Sequence, residues 1–224
     1  GPDQFVPLYM VIFLGIVSGT LFSAITFSRE RIIWHLLLAE ALVLIACGLD
    51  FHLTSDIRPS NFYGSQFLVG FASGVFIGPL LITGILSAMQ KGPTHIVTFI
   101  VLFSATQTFG GLVGSSFYST YQQVRTQNYR AEMIQQLPET NPLIAQRLLA
   151  YQQSSHSYTL DQQLEQQQAL KNLNQVVTRE AQVRAYNDVI SFNGVVAMLL
   201  LLWGTFLIAR NQYQLRQQAK IGPA

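Results

Sequence analysis

Five stretches with little or no charge set the pattern of the chain. Phe5 to Phe27 lies between Asp3 and Arg29, and Ile32 to Leu49 carries a single carboxylate, Glu40. Tyr63 to Met89, Thr94 to Tyr118 and Val189 to Ala209 follow, the last closed by Arg210. Crossing roughly 30 Å of hydrocarbon takes about 20 helical residues. The pattern therefore predicts transmembrane helices over about 5–27, 32–50, 63–89, 94–119 and 188–210, with a tail over 211–224.

The segment before the last run is different. Residues 120–187 carry 15 glutamines and six Lys+Arg and cannot enter lipid. Thr159-Leu160-Asp161-Gln162 fits a capping box. Leu160, Leu164, Leu173, Val177 and Val183 then recur at roughly helical spacing with no Gly or Pro as far as Asn193, which predicts a water-exposed amphipathic helix running into the last span. Upstream, Pro138 and Pro142 bracket a turn, and Leu143 to Gln153 reads as a short helix. The insert is either a solvated spacer or a docking surface for a partner.

Composition agrees. Of 224 residues only 11% are charged, against about a quarter in an average soluble domain, and the fold class is all-α integral membrane. A net charge of +2 is too small for a nucleic-acid footprint. Cys47 stands alone, which excludes a disulfide framework. His35, His52, His95 and His156 lack ligand spacing, and no HExxH, GxSxG, P-loop or GxGxxG occurs, so no catalytic residue, cofactor or metal is expected. Phe71-Ala72-Ser73-Gly74 lacks the glycine that intramembrane serine proteases place two residues before the serine.

Short loops orient such a chain. Arg29 and Arg31, Lys91, and Arg210, Arg216 and Lys220 fall on one side, with Arg58 alone in the short loop opposite. This places the C-terminus in the cytoplasm and residues 120–187 outside. Residue 1 then lies outside as well, and the chain does not begin with Met, so the expectation is a piece of a longer protein with an odd number of preceding spans.

Small residues recur four apart within the spans: Gly15 and Gly19, Gly70, Gly74 and Gly78 followed by Pro79, and Gly110 and Gly114 beside Gly111. Such faces let helix backbones approach closely in lipid, and Pro79 removes a helix hydrogen bond. Packing is one reading of Gly70, Gly74, Gly78, Pro79, Gly110, Gly111 and Gly114, and a hinge is the other. Glu40 lies nine residues beyond Arg31, about 13 Å along a helix and near the midplane. A carboxylate there costs a few kcal/mol to insert and faces the bundle interior or a watery cavity. It either exchanges protons or stays protonated against a neighbouring helix. His35, one turn from the boundary, reads as interfacial. Thr106-Gln107-Thr108 with Phe103 and Phe109 suggests a cavity wall, although Ser and Thr in spans often bond only their own helix.

Several strings in order carry a resemblance: Gly19 to Arg31 (GTLFSAITFSRER), Gln66 to Phe71 (QFLVGF) followed by Gly78-Pro79-Leu80, Phe103 to Gly114 (FSATQTFGGLVG), and Arg184 to Val189 (RAYNDV). Together they resemble the C-terminal part of a fourteen-span drug:proton antiporter of the major facilitator superfamily, the EmrB/QacA type, across essentially the whole chain. Gln107 stands where many members carry Arg, and no Asp precedes the basic residues of the Arg29 loop. The resemblance implies that these are the tenth to fourteenth spans of a major-facilitator-type bundle in the bacterial inner membrane. It implies export of small amphipathic compounds against protons, with the N-terminal half of the transporter as partner and a periplasmic adaptor as a further one. On it, Glu40, Gln66, Phe103 and Gln107 are cavity or gating residues, and Arg29 and Arg31 steady the cytoplasmic gate. The rival expectation is a non-transporting five-span scaffold whose Gln-rich external helices bind a periplasmic partner.

Overall fold

An unbroken run of apolar residues satisfies its backbone hydrogen bonds within one helix, the arrangement hydrocarbon requires. In the computed structural model, which describes residues 5–51, 54, 58–135 and 162–221, the runs become five helices long and apolar enough to cross a membrane. They are α1 (Val6–Thr26), α2 (Ile32–Leu49), α3 (Tyr63–Lys91), α4 (Pro93–Gln135) and α5 (Gln162–Ile221).

The breaks between helices have local causes. Helix α1 starts with Pro7 in its first turn, where the missing N–H is no loss. It ends at Phe27, whose ψ of 127° leaves the helical region. Ser28 is extended, and Arg29–Arg31 form one 3-10 turn that leads into α2. A second 3-10 turn, Pro59–Phe62, opens α3. Between α3 and α4, Gly92 has φ 116°, a left-handed backbone that a side chain would strain, and Pro93 begins the next helix.

Two compact units divide the described residues. In the first, formed by residues 1–52, 57–113 and 190–224, α1 and α2 both pack on α3. Gly15 and Gly19 of α1 and Gly70, Gly74 and Gly78 of α3 are buried. A Cβ on Gly15 would lie 2.5 Å from the Phe67 carbonyl oxygen, and one on Gly70 would lie 2.5 Å from that of Ile12. One on Gly19 would overlap the Phe71 carbonyl, one on Gly74 that of Ile16, and one on Gly78 the Ser23 hydroxyl. The two backbones touch because the side chains that would separate them are missing. Pro79 is fully buried at this seam, and α3 continues through it as one helix. Ala39, Ala72 and Val75 form a small core between α2 and α3. Against the other face of α2 lies the part of α5 from 190 onward, where a Cβ on Gly204 would lie 2.5 Å from Leu37 Cδ2. Phe13, Leu14, Ile25, Leu199 and Trp203 are exposed around the outside. So much exposed apolar surface has its natural cover in lipid.

The second unit contains residues 114–189. Its described helical parts, 114–135 of α4 and 162–189 of α5, pair through buried Ala181 and Ala185 and half-buried Leu173 and Val177. Composition places the fourth span's end near 119, but the helix does not stop there: it runs on to Gln135, since no Gly or Pro interrupts residues 115–137. The helix expected to enter the last span is continuous from Gln162, and it also runs through residues 211–221 of the tail. The capping box at 159–161, the Pro138–Pro142 turn and the helix over 143–153 lie outside the described residues.

Candidate functional site

Glu40 on α2 and Gln107 on α4 line one open cavity of about 220 Å³, whose other walls are Ala39, Val43, Ala72, Ser73, Phe76 and Ile77. Two of its walls, Ala39 and Ala72, belong to the Ala39–Ala72–Val75 core, and their short side chains leave room beside them. Its polar atoms are few. The Ser73 hydroxyl is already committed, donating to Val69 O at 2.9 Å. Glu40 and Gln107 therefore supply the polar chemistry that remains: a carboxyl able to hold or release a proton, and an amide able to donate and accept. The apolar remainder suits an amphipathic guest.

Gln66 and Phe103 do not line this cavity. Gln66 precedes Ser73 by seven residues, about 10 Å along the helix axis. Phe103 turns toward Phe99, with ring centroids 5.7 Å apart, and the Phe99 ring fills the space left by Gly84. The hydroxyls of Thr106 and Thr108 donate to Leu102 O and Ser104 O of their own helix, at 2.8 and 2.9 Å. Thr83 Oγ1 is buried with no hydrogen-bond partner among the described residues. A Cβ added at Gly110, Gly111 or Gly114 would meet nothing within 4 Å, so among the described residues no helix rests on them.

Arg29 and Arg31 are exposed in the turn between α1 and α2. Four residues after Arg31, His35 is buried, 6% exposed, and ties the end of α1 to the start of α2. Its Nδ1 donates to Arg31 O at 2.9 Å, because a carbonyl can only accept. Its Nε2 lies 2.8 Å from Thr26 Oγ1, which is also 2.7 Å from Phe22 O. Replacing His35 by Phe keeps the volume and removes both ring hydrogen bonds, although the Thr26 hydroxyl still donates to Phe22 O. We expect a loss of about 1–3 kcal/mol, read as a lower midpoint when the detergent-solubilised protein is heated.

A charged knot lies in the second unit. Arg125 Nε and the Tyr129 hydroxyl both donate to Asp188 Oδ2, at 2.5 and 2.9 Å, and Arg125 Nη2 donates to Tyr129 at 2.8 Å. Tyr129 lies beyond the fourth apolar run, and burial, followed by its bond to Asp188, pushes its phenol above the ordinary value. Arg125 and Tyr129 are a turn apart in the sequence, but nothing local points to a partner 63 residues on. Because Arg125 is 37% exposed, Asp188→Asn should cost no more than about 1 kcal/mol. Amide exchange should rise locally over residues 114–135 and 170–189, and a global loss of helicity would show the knot to be worth more than its exposure allows.

No protein-family model, curated protein or solved structure matches this chain.

Proposed function

We propose that this chain forms the C-terminal part of a proton-coupled secondary transporter that exports small amphipathic or aromatic compounds by alternating access. The observation that carries the reading is the shared cavity: Glu40 and Gln107, on different helices and among the few polar side chains in the spans, line one apolar pocket. An intramembrane carboxylate is by default a functional group. The ordered strings resembling an EmrB/QacA-type antiporter support the same reading, as does the close α1–α3 contact over glycines, since transporter bundles of this kind rock as units about a midplane site. On this proposal the membrane is the bacterial inner membrane, the C-terminus is cytoplasmic and residues 120–187 are periplasmic, available to an adaptor.

The second reading, a five-span scaffold, is favoured by one feature: residues 114–189 form a compact unit of their own, as a partner-binding module would. The two separate by the mass of the native product, probed in source membranes with an antibody against residues 120–187. A transporter requires a product well above the 25.0 kDa of this chain, and ethidium added to energised everted vesicles containing it should release protons. A stable product of 25.0 kDa with no such release would overturn the transporter and leave the scaffold.

A further inference from the structure

A second cavity, of about 340 Å³, opens at the end of the first two spans and is lined by Phe22, Thr26, Arg31, Trp34, His35 and Leu38. Its chemistry is graded along the helices. Arg31 sits in the turn at the span boundary, and Leu38 lies seven residues further into the span, about 10 Å deeper. Trp34 is 59% exposed, with Ile25 and Ile33 also exposed nearby on the same helices. The rim therefore belongs to the surface that lipid covers, and an exposed Trp is at home at the headgroup level. His35 is spent on Thr26 and the Arg31 carbonyl, which fixes the wall but leaves it no free hydrogen for a guest. The Arg31 guanidinium has no ion pair among the described residues. Glu30, in the same turn, does not line the cavity, and Arg29 adds a second cation to that turn.

We infer that this notch binds an anionic phospholipid of the phosphatidylglycerol type, with its phosphodiester on Arg31 and the start of one acyl chain along Phe22, Trp34 and Leu38. A guanidinium matches two phosphate oxygens at once. A free inorganic anion has no use for the three apolar walls, whereas a zwitterionic lipid brings a second charge that Arg31 repels. This inference rests only on α1 and α2 spanning the membrane, not on the transport reading.

Trp34 reports on the site. In the full chain carrying Trp203→Phe, reconstituted in phosphatidylcholine vesicles in phosphate-free buffer, small fractions of acyl-brominated phosphatidylglycerol should quench Trp34 more than equal fractions of brominated phosphatidylcholine. One cation near an anionic surface is worth about a fivefold preference, so Arg31→Gln should reduce the preference by about that factor, and Arg31→Lys should fall between the two, keeping the charge but losing the two-oxygen match. Equal quenching by the two brominated lipids overturns the site, as does an undiminished preference in Arg31→Gln. Relief of the quenching by inorganic phosphate also overturns it, because the site would then hold a free anion. Should Arg31→Gln fail to reconstitute, the lipid comparison with Arg31 in place and the lysine variant still decide.

Discussion

Gly74→Leu should prevent α1 and α3 from packing, and the protein should fail to survive detergent extraction as a monodisperse species. A Cβ at residue 74 would overlap the Ile16 carbonyl oxygen and lie 2.6 Å from the Thr20 nitrogen. Both obstacles are backbone, which cannot rotate aside as a side chain can. The helices must move apart, and the contacts at Gly15, Gly19 and Gly70 are lost along with the one at Gly74. Overpacking ordinarily costs about 1–3 kcal/mol, and a seam held only by close backbone contact in lipid should lie at or beyond the upper end of that range. Gly110→Leu is the matched control. Residue 110 has nothing within 4 Å of where a Cβ would stand, and leucine is the better helix former by roughly 1 kcal/mol. Size-exclusion profiles of a fluorescent fusion, taken after graded heating, compare the two. Survival of Gly74→Leu as a monodisperse species would show that the α1–α3 seam is not what holds the bundle, whereas collapse of Gly110→Leu as well would show that the glycine face of α4 is covered by something outside the described residues.

On the proposed transporter reading, Glu40→Leu should move stability and transport in opposite directions. Replacing a carboxylate at mid-span by leucine favours insertion by roughly 3 kcal/mol, so the variant should accumulate at least as well as the parent. Transport by the intact protein should nevertheless be lost, since the cavity then has Gln107 as its remaining uncommitted polar side chain and no group that changes protonation. Glu40→Gln keeps the shape and the hydrogen bonding but not the proton. It should retain binding of an amphipathic dye while losing the response of export to a pH gradient. An unchanged pH profile in Glu40→Gln would remove this residue from the proton path.

The five helices were legible because a membrane span is a property of composition over a window of about 20 residues. Each observed apolar helix begins within two residues of the expected start for the first four runs. What composition did not determine was where the last two helices stop being helical. Lipid exit depends on polarity, whereas a helix ends only where Gly, Pro or a competing cap ends it, and the segment beyond 119 contains none before Pro138.

The candidate site divides in the same way. Glu40 announces itself, since a lone carboxylate in an apolar run is costly wherever it points. That Gln107 joins it, while Gln66 and Phe103 do not, depends on the depth and rotation of three helices relative to one another. His35 shows the limit most plainly. The chain places it one turn inside α2, and only the return of α1 brings Thr26 to its Nε2 and buries it. Asp188 likewise reads as one residue of a local string until the helix pair brings Arg125 and Tyr129 to its oxygen. Which segments are helical, which can enter lipid and which glycines are available for close approach all follow from the order of residues, because each rests on transfer free energy and sterics along a single helix. That Gly15, Gly19, Gly70, Gly74 and Gly78 are used in packing while Gly110, Gly111 and Gly114 have open space emerges only in three dimensions, because that choice depends on which helix faces meet.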